Sequence, residues 1–311
     1  MIKVLWVLLV ILAITVSSYA QAAEPGALAP LIPPGIRLMI FSPHPDDETL
    51  GAAGLIQRVL REGGKVKVVF MTDGAGFPEG VEREDRISNP TAKDYRNYGD
   101  ERRGEALMAD TRLGLKEGET TFLGFPDGGL SYLLRKYCSG SQAYQSPYTK
   151  ENCPPPLEIV IPHTVFTGDD LTREVEREIA DFRPDVVATT PLKDVHPDHS
   201  ATYSFVKEAL ARLSKKDPGL KPRVLTFLVH FGQWPIGQGA GTGSLLHPPE
   251  GFPDQGGQWV SLALTPEEAA TKRQAIMEYH SQMLVMDRWL LSFARSNELF
   301  ILENQLSPPE K

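Results

Sequence analysis

The stretch Ser42–Thr49, SPHPDDET, sets three carboxylates in a row at Asp46, Asp47 and Glu48, close to His44 and straight after the largely apolar run Ile36–Phe41. Like charges this close repel, and carboxylates at the end of a buried strand lose hydration, so folding alone gives no reason for the cluster. About 150 residues later the chain reads Asp194-Val195-His196-Pro197-Asp198-His199. Two histidines and a carboxylate make a common open metal site, with water in the remaining position. His44, Asp47 and His199 are the candidates. A divalent cation would be the largest local charge there and would reverse the repulsion. Water on such an ion approaches a pKa of about 7. Asp46, next to the ligand but outside the ligand set, can then take its proton. The alternative for Asp46, Asp47 and Glu48 is a helix N-terminus, where the dipole favours acidic side chains.

Strands and helices must bring these two clusters together. Ile36–Phe41 reads as a strand, and residues 48–61 as a helix stopped by Gly63-Gly64. Val66–Met71 is a second strand ending in Thr72-Asp73-Gly74, followed by a helix over 100–115. Thr120–Leu123 is a strand ending in Gly124–Gly129, with Asp127 at its exit. After an irregular insertion over 131–170, a helix spans 171–182 and a strand 185–190. A helix over about 200–213 and a strand over 224–229 follow. Thr265-Pro266-Glu267-Glu268 opens a final long helix with a capping box. This alternation predicts an α/β fold: one Rossmann-like domain with a mostly parallel sheet flanked by helices. Its additions are the insertion and a Gly/Pro-rich loop, Phe231–Trp259. In such sheets ligands bind beyond the carboxyl ends of the strands. Every unusual polar cluster falls on that rim.

Composition bounds the rest. The 311 residues are 41% hydrophobic and 23% charged, with a net charge of −8. No Lys/Arg cluster marks a nucleic-acid partner. Lys3, the mostly apolar run Val4–Val16 and Ala20-Gln21-Ala22 read as a secretory signal peptide over residues 1–22. A linker over 23–35 and one domain over 36–305 would follow. The protein is then expected to be secreted or periplasmic, with no stable membrane insertion once the signal is cleaved. An uncleaved N-terminal membrane anchor is the alternative. In an exported chain Cys138 and Cys153 are expected to pair as a disulfide across the insertion.

The sequence resembles the PIG-L/LmbE family of zinc-dependent de-N-acetylases. The resemblance rests on PHPDDE at Pro43–Glu48, MTDG at Met71–Gly74, and Arg102 with Glu105. It continues through FPDGG at Phe125–Gly129, RPDVV at Arg183–Val187, HPDH at His196–His199 and HSQ at His280–Gln282. It implies one Zn2+ per chain held by His44, Asp47 and His199, with Asp46 as general base. It makes His196 the group that stabilises the oxyanion or protonates the leaving amine. Asp198 would orient a histidine. Arg102 would contact substrate, or else pair with Glu105 on the helix surface. The implied reaction is hydrolysis of an acetamide on an N-acetylglucosamine conjugate or a related N-acyl sugar. Export points to an extracytoplasmic glycan, glycoconjugate or glycolipid. Trp234 and Trp259 could stack on sugar rings or simply pack against the body. His280 is expected to pack within the final helix. Two rivals remain. A non-haem Fe(II) oxygenase would use His44, Asp46 and a distant histidine, but those enzymes are generally all-β. A catalytically inactive sugar-binding protein could share the fold, although Asp46 and His196 argue against it.

Overall fold

The computed structural model describes residues 25–140, 142–155, 161–238 and 243–304. The expected signal peptide lies outside them. One eight-stranded sheet runs through the domain. Its strands are β1 (Gly26–Ala27), β2 (Arg37–Ser42), β3 (Lys65–Thr72), β4 (Thr120–Phe125), β5 (Val186–Thr189), β6 (Arg223–Thr226), β7 (Gly257–Ala263) and β8 (Asn297–Glu303). The helices are α1 (Asp47–Arg61), α2 (Pro78–Asp85), α3 (Ala92–Leu113), α4 (Leu130–Arg135), α5 (Gly168–Phe182), α6 (Pro197–Lys216), α7 (Pro266–Ile276) and α8 (His280–Leu291). Across the sheet the order is β1-β7-β8-β6-β5-β2-β3-β4.

The strands β4, β3, β2, β5 and β6 are parallel. The chain leaves β2 toward β3 and β4, then returns to β5 on the other flank. The switch point therefore lies between β2 and β5, where an open parallel sheet splits into a crevice. That topology accounts for the meeting of His44 and His199, since each follows one of these two central strands.

Alternation along β2 divides the core. Leu38 and Ile40 face one side, with Leu55 and Ile56 of α1, Ala106 of α3 and Ile276 of α7. Met39 and Phe41 face the other, with Leu130 of α4, Val175 of α5 and Phe205 of α6. Both faces are apolar because both are covered.

Several expectations are corrected. The stretch 23–35 is not simply a linker: Gly26–Ala27 pairs in parallel with Val260 and Ser261, and Leu28 is fully buried. The helix expected from residue 100 starts at Ala92, fixed by a capping box between Thr91 and Asp94. Its first turns carry few apolar residues, so no hydrophobic period reveals them. The final helix is two, α7 and α8, and the unexpected strands β7 and β8 form an antiparallel pair. Buried Glu298 disguises β8. It accepts from Lys272 Nζ at 2.8 Å and caps the amides of Gly54 and Leu55, a use that alternation does not reveal.

The disulfide is absent. Cys138 and Cys153 are both free thiols. Cys138 Sγ donates to Leu134 O at 3.0 Å, just beyond α4. Cys153 lines a cavity of about 180 Å³ beside Pro155 and Phe166. Backbone hydrogen bonds tie the insertion together instead: Tyr144 N to Phe166 O, Phe166 N to Asn152 O and Asp169 N to Cys138 O. No helix among the described residues is long and apolar enough to cross a membrane.

Candidate metal centre and its surroundings

The crevice at the switch point is built from the turns that end β2 and β5. Ser42 Oγ donates to His44 O at 2.8 Å and accepts from Glu48 N at 3.1 Å. The turn is thereby closed before α1 begins. His44 N donates to Asp47 Oδ2 at 3.0 Å, which fixes that carboxylate against the histidine. On the second turn His196 is the N-cap of α6 and Pro197 fills its first position, as suits a helix start.

Three atoms converge. His44 Nδ1 lies 3.2 Å from Asp47 Oδ2, His199 Nε2 lies 3.2 Å from the same oxygen, and the two nitrogens are 3.3 Å apart. A tetrahedral ion with bonds of about 2.0–2.1 Å spaces its ligand atoms about 3.3–3.4 Å apart. The triangle thus has the size that one such ion requires, and the expected ligand set fits it.

The other ring nitrogen of each histidine faces a carboxylate. His199 Nδ1 is 3.2 Å from Asp194 Oδ2. His44 Nε2 is 3.1 Å from Asp127 Oδ1 and 3.5 Å from Asp198 Oδ2. Carboxylates behind metal-binding imidazoles fix their orientation and raise their basicity. Asp127 and, farther off, Asp198 face His44, and the Asp198 oxygens accept from the amides of Gly128 and Leu130. Asp194 and Asp127 were visible in the sequence as rim carboxylates without a role. A spare carboxylate per histidine was the signal.

Asp46 stays outside the triangle. Its φ is +126°, a region that costs a non-glycine residue energy and recurs at functional sites. Its amide donates to Glu48 Oε2 at 3.2 Å, and its Oδ2 lies 3.1 Å from Arg102 Nη2. Arg102 is buried, and its guanidinium also donates to Pro45 O at 2.6 Å and Gly74 O at 2.9 Å. It is a strut under Asp46, not a surface partner of Glu105. Gly74 makes room for it: with φ +68°, an added Cβ would lie 1.9 Å from Arg102 Nη1. Glu105 instead accepts from Ser281 N and Oγ, both at 2.7 Å. In the HSQ stretch Ser281 and Gln282 are buried, while His280 stands exposed at the start of α8. Glu48 lies fully buried against the hydroxyls of Thr49 and Tyr279.

The electrostatics follow from this crowding. Burial opposes a charged Asp47, yet His199 and His44 hold its carboxyl well below the usual range. Burial would lower His199, but Asp47 and Asp194 raise it to about 9. Asp46 is pushed well up by burial and by Asp47, against Arg102. Burial, with His44 and His199 alongside, lowers His196 to about 4. His196 Nδ1 accepts from Asp198 N at 3.3 Å, which leaves the neutral ring its Nε2–H as donor.

His196 lies equally close to both histidine rings, 4.8 Å from each, with ligand atoms of His44, His196 and His199 all within 4.8 Å of one another. Trp234 is buried and meets Phe293, and Trp259 meets Phe252, so each packs within the body.

The GlcNAc-PI de-N-acetylase (PIG-L) family description matches residues 39–210. The 1D-myo-inositol 2-acetamido-2-deoxy-alpha-D-glucopyranoside deacetylase of Rhodococcus opacus is 29% identical over 180 residues, 56% of this chain and 53% of that protein. The chain thus spans about half the length of the curated relatives it matches. Among solved structures, the N,N'-diacetylchitobiose deacetylase of Pyrococcus horikoshii superposes with a TM-score of 0.51 at 18% identity, covering 87% of this chain and 84% of that one. The hydratase GalB of Pseudomonas putida superposes with a TM-score of 0.52 at 16% identity, covering 89% and 98%. These likenesses concern the fold, which hosts more than one chemistry. The sequence match covers more than half of the 311 residues and takes in both ends of the ligand triangle: the chain belongs to the PIG-L family of GlcNAc-PI de-N-acetylases.

Proposed function

We propose that this protein is an exported zinc-dependent deacetylase, removing the N-acetyl group from an N-acetylglucosamine-containing sugar, glycoconjugate or glycolipid. The carrying observation is the 3.2–3.3 Å triangle of His44, Asp47 and His199, with Asp46 beside it and outside it. Family membership and the 2-acetamido sugar named for the Rhodococcus relative support the substrate class. The N-terminal sequence, Lys3 with Val4–Val16 and Ala20-Gln21-Ala22, supports export.

Zinc held by the triangle would supply Lewis acidity toward the amide carbonyl and acidity to water. Asp46, fixed by Arg102, takes a proton from the attacking water. His196 donates its Nε2–H to the carbonyl oxygen as negative charge gathers there. The carbon–nitrogen bond breaks as Asp46 returns its proton to the nitrogen, leaving free amine and acetate. A neutral His196 suffices, so a protonated ring is not required.

Zinc-restored protein should release acetate from some member of a panel of short and long N-acetylated sugars. Inactivity on every one of them, with zinc bound, would overturn the reading.

A further inference from the structure

His230 follows β6 and belongs to none of the motifs. Asp194 Oδ2 accepts its amide at 2.9 Å while also holding His199 Nδ1 at 3.2 Å. Val195 N returns a hydrogen bond to His230 O at 3.1 Å, and Asp194 Oδ1 takes His196 N at 2.9 Å. One buried carboxylate thereby fixes three histidines relative to one another.

The His230 ring lies flat on Trp289, 4.8 Å between centroids at 10°, and meets the His199 ring edge-on at 4.8 Å. Ligand atoms of Asp47, His199 and His230 all lie within 4.8 Å of one another. His196 groups instead with His44 and His199. The two imidazoles are neighbours, their rings 5.4 Å apart at 32°, and each meets the His199 ring at 4.8 Å. Among the described residues nothing hydrogen-bonds to the ring nitrogens of His230. A half-buried ring, stacked in place and aimed at a polar centre with its nitrogens unused, is built to meet something that arrives. A purely packed ring at this position would do as well as phenylalanine.

We propose that His230 is a further catalytic residue, which hydrogen-bonds an acyl oxygen of the substrate, and of the acetate product, beside the Asp47–His199 edge of the triangle. This rests on the deacetylase reading, so the test includes a measurement that needs no turnover.

Acetate is titrated into zinc-loaded wild type, His230→Phe and His230→Gln, and zinc affinity is measured for each by chelator competition. Phenylalanine keeps the stack on Trp289, and glutamine restores an N–H. His230→Phe should bind acetate about tenfold more weakly, the cost of one hydrogen bond to a charged group. It should lose about 100-fold in kcat/KM, with up to about tenfold of that loss in KM and the rest in kcat, because the bond is made before the transition state and strengthens in it. His230→Gln should recover part of both losses, and zinc affinity should stay within about threefold throughout, below the change a ligand or its support produces. Unchanged acetate affinity and kcat in His230→Phe would overturn the assignment. Loss of zinc in that variant would overturn it too, by making His230 a ligand. If no sugar is deacetylated, the enzyme reading falls, and the acetate titration still decides the role of His230.

Discussion

Arg102 Nη2 stands 3.1 Å from Asp46 Oδ2, both side chains buried, at the junction of α3 with the turn that opens α1. The same guanidinium ties down the carbonyls of Pro45 and Gly74. It holds Asp46 in a strained conformation from below, with Nη1 and Nη2 both engaged on the protein.

Arg102→Ala should therefore lower kcat by about 100-fold while KM and zinc content change little, because a misplaced base acts only in the transition state. Steady-state kinetics on the zinc-loaded variant check this. A large rise in KM at constant kcat would assign Arg102 to the substrate instead.

Gly74→Ala should approach the same defect from the other side. Its Cβ would displace the guanidinium, and φ +68° adds strain for alanine. The expected result is a loss of about tenfold or more in kcat with the overall fold kept. Wild-type turnover would show that Arg102 can move without cost.

Asp194→Asn should weaken zinc binding by about 10–100-fold, since the carboxylate behind His199 sets that ligand's orientation and basicity. Competition against a chelator of known affinity measures it. Unchanged affinity would reduce Asp194 to a backbone tie.

Glu268 gives a stability prediction far from the crevice. It accepts from Arg58 at 2.8 and 2.7 Å and closes the capping box of α7. Burial alone would raise its carboxyl, but Arg58 and the Thr265 amide lower it below the usual value. A carboxyl lowered by folding stabilises above its unfolded pKa and loses that contribution as pH falls through the folded one. Glu268→Gln should cost about 2 kcal/mol at pH 7, and the difference should fade below about pH 4. Denaturant melts of both proteins across pH test the sign.

Much of this architecture could be read from the chain. PHPDDE and HPDH each follow a strand, and a parallel sheet puts such turns on one rim, so the meeting of His44, Asp47 and His199 is legible in the chain. The charges at Asp46, Asp47 and Glu48 separate: Asp46 lies against Arg102, Asp47 between His44 and His199, and Glu48 against Tyr279. What spacing could not give was which polar group faces which. Asp198 sits beside His199 in sequence yet faces His44, and Asp194 is the carboxylate that reaches His199. Arg102 reads equally as a substrate contact and as a surface partner of Glu105, because its helix is polar on most sides. His230 lacked a motif, since its only signal is a lone histidine after a strand. The pair β7 and β8 was hidden by buried Glu298, whose partner Lys272 lies 26 residues away.

In the proposed reaction Asp46 moves the proton while His44, Asp47 and His199 hold the metal. Free amine, acetate and bound zinc, measured together on an N-acetylated sugar panel for metal-free, zinc-restored and Asp46→Asn protein, test it most directly. The account predicts turnover only in the zinc-restored wild type, with Asp46→Asn keeping its zinc and losing at least about 100-fold in rate. An Asp46→Asn protein that loses its zinc, or one that turns over like wild type, would contradict it.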